Sequence, residues 1–114
     1  MTARIIDGKA IAVSLKSEVR AATDALVQRG SRRPGLAVVM VGDDAASAIY
    51  VRNKRKACEE TGIVSVAHDL PHSTTEVELV QLIDRLNRDP TIHGILVQLP
   101  LPEHIRPTAI LERI

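Results

Sequence analysis

The stretch "LAVVMVGDDAAS" (residues 36–47) decides the fold, because it joins a strand to the start of a helix. The run Leu36–Val41 is short, apolar and rich in valine, which is typical of a strand buried inside a sheet. The turn "GDD" follows, and a helix is predicted from about Ala45 to Thr61, with Gly62 as its stop signal. The chain thus passes from strand to helix within a few residues.

The same alternation continues on both sides of this stretch. Upstream, a helix is predicted from Lys9 to about Arg29, with apolar residues at helical spacing, namely Ile11, Leu15, Val19, Ala22 and Leu26. Downstream, strands are predicted over residues 63–70 and 93–99, with a helix between them and another from near Pro107. The helix between the strands opens with a capping box, Ser73 to Glu76 or Thr75 to Glu78, and its apolar residues are Val77, Val80, Leu82, Ile83 and Leu86.

Alternating strands and helices predict an α/β fold: a three-layer αβα arrangement with a mainly parallel sheet, as a single small domain over residues 1–114. Ligands of such sheets bind at the carboxyl ends of the strands. The loops after Val41 and Leu70, and the segment 98–102, are therefore the expected functional edge.

Composition excludes several classes of partner. The 114 residues carry a net charge of +1 and only one aromatic residue, so no nucleic-acid surface is predicted. No apolar run approaches the roughly 20 residues that span a bilayer, and the N-terminus lacks the apolar core of a signal peptide. A single cysteine, Cys58, suits a reducing compartment, and we expect a cytoplasmic protein.

The predicted helix 45–61 contains "SAIYVRNKRKACEETG" and places Lys54 apart from the other cations. At about 100° per residue, Lys54 shares a face with Ser47, Tyr50, Ala57, Cys58 and Thr61, which should turn inward. Arg52, Arg55 and Lys56 lie on the opposite face, where Arg55 with Glu59 and Lys56 with Glu60 are expected as surface charge pairs.

Two interpretations of Lys54 are open. Its methylene stem can run along the apolar face and carry the ammonium to solvent. Alternatively, the lysine is desolvated beside the Tyr50 hydroxyl, and it then exchanges protons near neutral pH because burial disfavours its charged form. Tyr-x-x-x-Lys also occurs in short-chain dehydrogenases, but only 49 residues precede Tyr50 and they contain no glycine-rich dinucleotide loop.

Gln98 interrupts the apolar strand in "GILVQLPLP", close to its carboxyl end. A buried amide needs hydrogen-bond partners, which are either neighbouring backbone groups or a polar heterocyclic ligand. Both interpretations are open. The prolines at 100 and 102 stiffen the following loop, as suits a pocket wall.

Other polar residues have simpler interpretations. Asp43 and Asp44 are expected to cap the helix, since the third strand ends in "VQLPLP" without the phosphoacceptor aspartate of a receiver domain. His68 and His72 are separated by Pro71 and share no helical face, so no metal site is predicted. Cys58 is expected to be a small core residue.

"VGDDAASAIYVRNKRKACEETGI" followed about 40 residues later by "GILVQLPLP" resembles the N-terminal catalytic domain of the bifunctional methylenetetrahydrofolate dehydrogenase/methenyltetrahydrofolate cyclohydrolase family. The opening "IIDGKAIAVSLKSEV" fits the first helix of that family. One departure is Ala45, where the family usually has proline.

The resemblance implies an activity and a set of site residues. The family oxidises 5,10-methylenetetrahydrofolate with NADP, or NAD in some members, and hydrolyses the resulting 5,10-methenyl cation to 10-formyltetrahydrofolate, within one-carbon metabolism and purine biosynthesis. Lys54, Tyr50 and Gln98 match its catalytic residues: the lysine handles protons, the tyrosine packs on the folate ring and the glutamine supports the lysine. The implied substrate contacts are Ser47, Tyr50, Val51, Lys54, Val97, Gln98, Leu99 and Pro100.

The resemblance also implies what lies outside this sequence. The family continues with an aspartate-containing segment and a C-terminal NAD(P)-binding domain, and its full-length members are expected to be homodimers. The ending "PTAILERI" starts a helix without a stop signal, so we expect the chain to be the N-terminal folate-binding domain of a longer protein. No cofactor site is expected within residues 1–114. The alternative hypothesis is a non-catalytic α/β ligand-binding or interaction domain.

Overall fold

Three parallel strands form one sheet, with helices on both of its faces. The computed structural model describes residues 2–114. Its elements are α1 (Gly8–Gln28), β1 (Gly35–Val41), α2 (Ala45–Thr61), β2 (Val64–Leu70), α3 (Glu76–Arg88), β3 (Gly94–Val97) and α4 (Pro107–Leu111). The strand order is β2–β1–β3, and β1 pairs with each neighbour in parallel. The predicted α/β fold class is confirmed.

The central strand β1 separates two apolar clusters, because successive side chains of a strand point to opposite faces. Ala37, Val39 and Val41 face a cluster that includes Leu79 and Ile83 of α3. Val38 and Met40 point the other way and pack with Val51 of α2. The helix α2 therefore covers one face of the sheet and α3 covers the other.

Local signals fix the ends of the helices. Asp44 accepts a hydrogen bond from the Ser47 amide at the start of α2, and Gly62 ends this helix in the left-handed conformation, with φ of 73°. Only glycine adopts that conformation without steric cost. Thr75 caps α3 by accepting from the Glu78 amide, which selects the second of the two predicted capping boxes.

Apolar residues noted in two of the predicted helices are exposed in the structure. Val77 of α3 is 65% exposed, while Leu79, two residues on, is fully buried. The buried stripe of α3 runs through Leu79, Ile83 and Leu86, at spacings of four and three, and Val77 lies outside it. In α1, Ile11 and Leu15 are each 57% exposed, so the predicted apolar face of this helix is largely uncovered in this chain.

The third strand is shorter than predicted, and it ends at Val97. The backbone amide of Gln98 nevertheless donates to the Val39 carbonyl of β1 at 2.9 Å. Gln98 is thus held at the carboxyl end of the sheet although it lies just beyond β3. None of the helices in residues 2–114 combines the length and apolarity needed to cross a membrane.

Candidate active site

Lys54 of α2 and Gln98 after β3 are joined by a direct hydrogen bond. The Lys54 Nζ atom donates to the Gln98 Oε1 atom at 2.7 Å, and both residues are half-buried. The two residues are 44 positions apart in the chain. The pair lies where α2 passes the carboxyl end of β3, which is the edge at which parallel sheets bind ligands.

The sheet and the helix position this pair independently. Gln98 is fixed by its backbone bond to Val39, and its Nε2 atom donates to the Leu99 carbonyl at 3.0 Å. Lys54 is carried by α2, which rests on the sheet through Val51, a residue only 2% exposed. The Gln98 amide thus uses its oxygen for Lys54 and its nitrogen for the backbone, so its orientation is defined.

Ser47 links the start of α2 to the loop after Gln98. It is 3% exposed, and its Oγ atom donates to the Leu99 carbonyl at 3.3 Å. Its backbone amide donates to Asp44 at 2.8 Å. This hydrogen bond holds the pKa of the Asp44 carboxyl below its usual range, with the Ser47 hydroxyl adding to the effect. The cap of α2 and the loop 99–100 are therefore one connected unit.

A neutral amide, not a carboxylate, is the partner of Lys54. Within residues 2–114, no acidic side chain forms an ion pair with it. An amide oxygen accepts a hydrogen bond from either the ammonium or the free amine, whereas a carboxylate strongly favours the ammonium. The arrangement can therefore hold Nζ in place through both halves of a proton transfer.

Tyr50 does not turn inward as the helical pattern predicted. The Tyr50 side chain is 58% exposed. The buried residues of α2 are Ser47, Val51, Cys58 and Thr61, and Tyr50 is about 100° away from Val51 around the helix. Its ring is consequently open to a ligand, one helical turn before Lys54.

The remaining predicted contacts divide into buried and accessible residues. Val51 and Val97 are 2% and 8% exposed and belong to the two core clusters. Leu99 and Pro100 are exposed, and the peptide bond between them is cis. Pro100 lines a cleft of about 260 Å³ with Asp44 and His72, while Lys54 borders a separate apolar cavity of about 330 Å³.

A larger cavity, of about 730 Å³, lies between β2 and α3 and is lined by residues such as His68, Leu82 and Arg85. None of the predicted site residues lines it. We locate the candidate site at the Lys54–Gln98 pair because that is where the polar groups converge.

Cys58 and Lys56 of α2 lie outside the Lys54–Gln98 pair. Cys58 is a core residue, 4% exposed, and burial, followed by the charge of Glu59, raises the pKa of its thiol. Among the described residues, no group of three or more histidine, cysteine or acidic side chains is placed to hold a metal ion. Lys56 lies 4.0 Å from Glu60, as expected.

Arg55 has a different partner from the one predicted. It pairs with Asp69 of β2 at 2.7 Å instead of with Glu59. A rule for residues four apart in one helix cannot find a partner on a neighbouring strand. The sequence indicated only that Asp69, next to the polar His68, is a charged residue near the carboxyl end of a predicted strand.

Together, the fold and the site define an α/β domain with a lysine–amide pair at the carboxyl edge of a parallel sheet, beside an exposed tyrosine. A family model described as "Tetrahydrofolate dehydrogenase/cyclohydrolase, catalytic domain" matches residues 6–114. The chain belongs to this family, as its sequence resemblance predicted.

Solved structures of related enzymes are close to this chain. The bifunctional methylenetetrahydrofolate dehydrogenase/cyclohydrolase FolD of Campylobacter jejuni is 48% identical, with a TM-score of 0.91 over 95% of this chain and 38% of that chain. The Bombyx mori methylenetetrahydrofolate dehydrogenase is 40% identical, with a TM-score of 0.95 over 99% of this chain and 39% of the other. The Trypanosoma brucei enzyme, complexed with NADP and an inhibitor, is 39% identical, with a TM-score of 0.93 over 100% and 39%.

The chain therefore spans less than two fifths of the length of these relatives.

Proposed function

We propose that this chain is the folate-binding domain of a bifunctional methylenetetrahydrofolate dehydrogenase/cyclohydrolase and carries the proton-transfer residues of the hydrolytic step. The observation that carries the proposal is the 2.7 Å hydrogen bond between Lys54 Nζ and Gln98 Oε1. Membership of the family supports the choice of a tetrahydrofolate derivative as ligand. In this proposal Lys54, Tyr50 and Gln98 are the catalytic residues.

The hydrolysis needs a group that moves protons next to a cation. Water adds to the methenyl carbon and loses a proton, and opening of the ring then transfers the hydroxyl proton to the released nitrogen. We assign the acceptance and return of protons to Lys54, because its partner is neutral and holds Nζ in either state. A cationic substrate bound beside Lys54 would repel a charged ammonium.

We assign substrate positioning to Tyr50, Ser47, Leu99 and Pro100. The exposed ring of Tyr50 offers a flat apolar face to the folate ring system, and Ser47 holds the loop that begins at Leu99. Val51 and Val97 are buried, and we propose that they support these residues by packing, not by direct contact.

The redox step requires parts that residues 1–114 are not expected to supply. We propose that NADP, or NAD, binds outside this chain in a longer protein, and that hydride transfer occurs only there. The T. brucei relative is described as complexed with NADP. A cytoplasmic location, a homodimer and a role in purine biosynthesis are predictions that rest on the family resemblance.

The decisive experiment replaces Lys54 by methionine in a chimera in which this chain forms the N-terminal part of the C. jejuni enzyme. We expect cyclohydrolase activity to fall by at least about a hundredfold, the range of a lost general acid–base. The matched control is Lys56→Met, two residues further along α2 and 72% exposed, which should act like the wild type. Activity near wild type in Lys54→Met would exclude the catalytic assignment.

Binding of a folate analogue to the 114-residue chain gives an independent test. We expect calorimetry to show weak binding, because the family resemblance implies that part of the folate cleft lies outside residues 1–114. Binding by this chain, together with a chimera that lacks cyclohydrolase activity even when Lys54 is intact, would favour the alternative hypothesis, a non-catalytic ligand-binding domain. Affinity equal to that of a full-length enzyme would contradict the predicted dependence on a second wall.

A further inference from the structure

Arg55, the neighbour of Lys54 in α2, reaches β2, the edge strand on the other side of β1 from β3. Its Nη2 and Nη1 atoms donate to the two carboxylate oxygens of Asp69 at 2.7 and 3.2 Å. Its Nη2 atom also donates to the Val38 carbonyl of β1 at 3.4 Å. The Arg55 side chain is 25% exposed and that of Asp69 is 63% exposed. A bidentate pair of this kind fixes the orientation of the guanidinium relative to the carboxylate as well as the distance between them.

The helix α2 is thus attached to β2, to β1 and to the residue that follows β3. Arg55 binds Asp69 of β2, Val51 packs on Val38 of β1, and Lys54 binds Gln98 just after β3. Because the strand order is β2–β1–β3, these contacts run from one edge of the sheet to the other. Adjacent helical residues point about 100° apart, so the rotation of α2 about its own axis sets the Arg55 and Lys54 contacts together.

We infer that Arg55 and Asp69 form a positioning pair, which sets the rotation of α2 and thereby places Lys54 Nζ against Gln98. This inference rests on the proposed function, in which that placement matters for proton transfer. A rotation of about 10° moves a group 6 Å from the helix axis by roughly 1 Å. Misplacement of a reacting group by about 1 Å can cost roughly a hundredfold in rate.

A positioning role of the Arg55–Asp69 pair can be distinguished from a contribution to folding stability alone. Ion pairs with one strongly exposed partner contribute little to folding stability, and Asp69 is such a partner. The same helix offers a matched pair without contact to the sheet: Glu60 binds Lys16 of α1 at 2.7 Å. Loss of the Glu60 pair should loosen α2 from α1 but leave its rotation on the sheet unchanged.

The test follows the side-chain amide of Gln98 by nuclear magnetic resonance in the 114-residue chain. Lys54→Met gives the resonance position of Gln98 without its lysine. We expect Arg55→Gln and Asp69→Asn each to shift the Gln98 resonance part of the way to that position. The double variant should shift no further than either single variant, because both remove one contact. Glu60→Gln should leave the resonance at its wild-type position.

An unmoved Gln98 resonance in Arg55→Gln and Asp69→Asn would overturn the inference, and so would an equal shift in Glu60→Gln. Arg55→Lys, which keeps the charge but not the bidentate geometry, covers the case in which Arg55→Gln fails to fold; the expected shift is intermediate. This readout does not depend on catalysis.

The kinetic counterpart uses the same variants in the chimera with the C. jejuni enzyme. We expect about a tenfold fall in cyclohydrolase kcat for Arg55→Gln and Asp69→Asn, KM within about twofold, and near wild-type kinetics for Glu60→Gln. Wild-type kinetics in the Arg55 and Asp69 variants, with Lys54→Met inactive, would refute the positioning role alone. An active Lys54→Met would instead refute the proposed function.

Discussion

At the scale of single residues, the feature that matters is the charge of the group that holds Lys54. Gln98 and glutamate have nearly the same shape, yet they differ in what they do to a neighbouring ammonium. The amide accepts a hydrogen bond at 2.7 Å without adding a negative charge. A carboxylate at that distance would strongly favour the protonated lysine. The site thus restrains Lys54 Nζ geometrically without placing a formal negative charge beside it.

Gln98→Glu tests this distinction. We expect cyclohydrolase activity near neutral pH to fall at least about tenfold, because the new carboxylate keeps Lys54 protonated. Activity should recover as pH rises, so the pH–rate profile of the chimera should move to higher pH. Gln81→Glu is the control, since it adds the same charge to an exposed position of α3. An unshifted profile in Gln98→Glu would show that Lys54 takes no part in the titrating step.

Residue-scale prediction from sequence was uneven for a physical reason. Helical geometry separated Lys54 from Arg52 and Lys56, because the direction of a side chain from its helix follows from position alone. The exposure of Tyr50 and the partner of Arg55 depend instead on where α2 lies relative to the sheet edge and to β2. Neither quantity is contained in the spacing of residues within one helix.

At the scale of elements, the ends of α2 were predictable because their causes are local. Its predicted span, Ala45 to Thr61, matches the observed one. Asp44 satisfies a free amide at the start, and Gly62 adopts a positive φ at the end. The burial of Leu79 instead of Val77 in α3 was not predictable in this way. Two overlapping apolar stripes were available on that helix, and only packing against β1 selects one.

Replacement of Asp44, the cap of α2, should also affect the candidate site, because Ser47 belongs to both. Asp44→Ala removes the acceptor for the Ser47 amide, so we expect a lower urea midpoint and a looser contact between Ser47 and Leu99. Asp43→Ala is the matched control, because Asp43 is the neighbouring exposed acid and Asp44 is the cap. Equal midpoints for the two variants would contradict the capping role. Asp44→Asn should be close to wild type, since asparagine caps helices about as well.

The cap also carries a pH dependence with a defined sign. The hydrogen bond from Ser47 lowers the pKa of Asp44 in the folded chain. A carboxyl with a depressed folded pKa contributes stability above its ordinary pKa, and this contribution is lost as pH falls through the folded value. The difference in urea midpoint between wild type and Asp44→Ala should therefore shrink in acid.

At the scale of the whole molecule, two arginine–carboxylate pairs attach the C-terminal segment to α3. Arg106 binds Glu76 with distances of 2.9 and 3.1 Å from its side chain, and its backbone amide adds a bond of 2.9 Å. Arg113 binds Asp84 at 2.8 and 3.0 Å. These pairs hold the chain that follows the proline loop 100–102. They therefore bear on one wall of the Pro100 cleft.

Glu76 is expected to dominate the acid sensitivity of this attachment. The Arg106 guanidinium, helped by its backbone amide, lowers the pKa of Glu76 from 4.5 to about 2. Since the folded pKa is depressed, the pair contributes its full stability above about pH 4.5 and loses it as pH falls toward 2. We expect the unfolding free energy of the wild type to fall through this window more steeply than that of Glu76→Gln, measured by urea unfolding at successive pH values.

Glu103→Gln separates a specific pair from a general effect of charge, because Glu103 is exposed and lies in the same loop region. It should keep the wild-type slope of unfolding free energy against pH, so equal slopes in all three proteins would mean that Glu76 does not attach the segment.

The Arg106–Glu76 pair also has a positional consequence, since its loss frees the segment that follows Pro102. In Glu76→Gln at neutral pH, we therefore expect resonances of residues 100–106 to broaden while the Gln98 side-chain amide, held by Lys54, stays in place. Movement of that amide would mean instead that the Arg106 attachment and the lysine site are mechanically coupled.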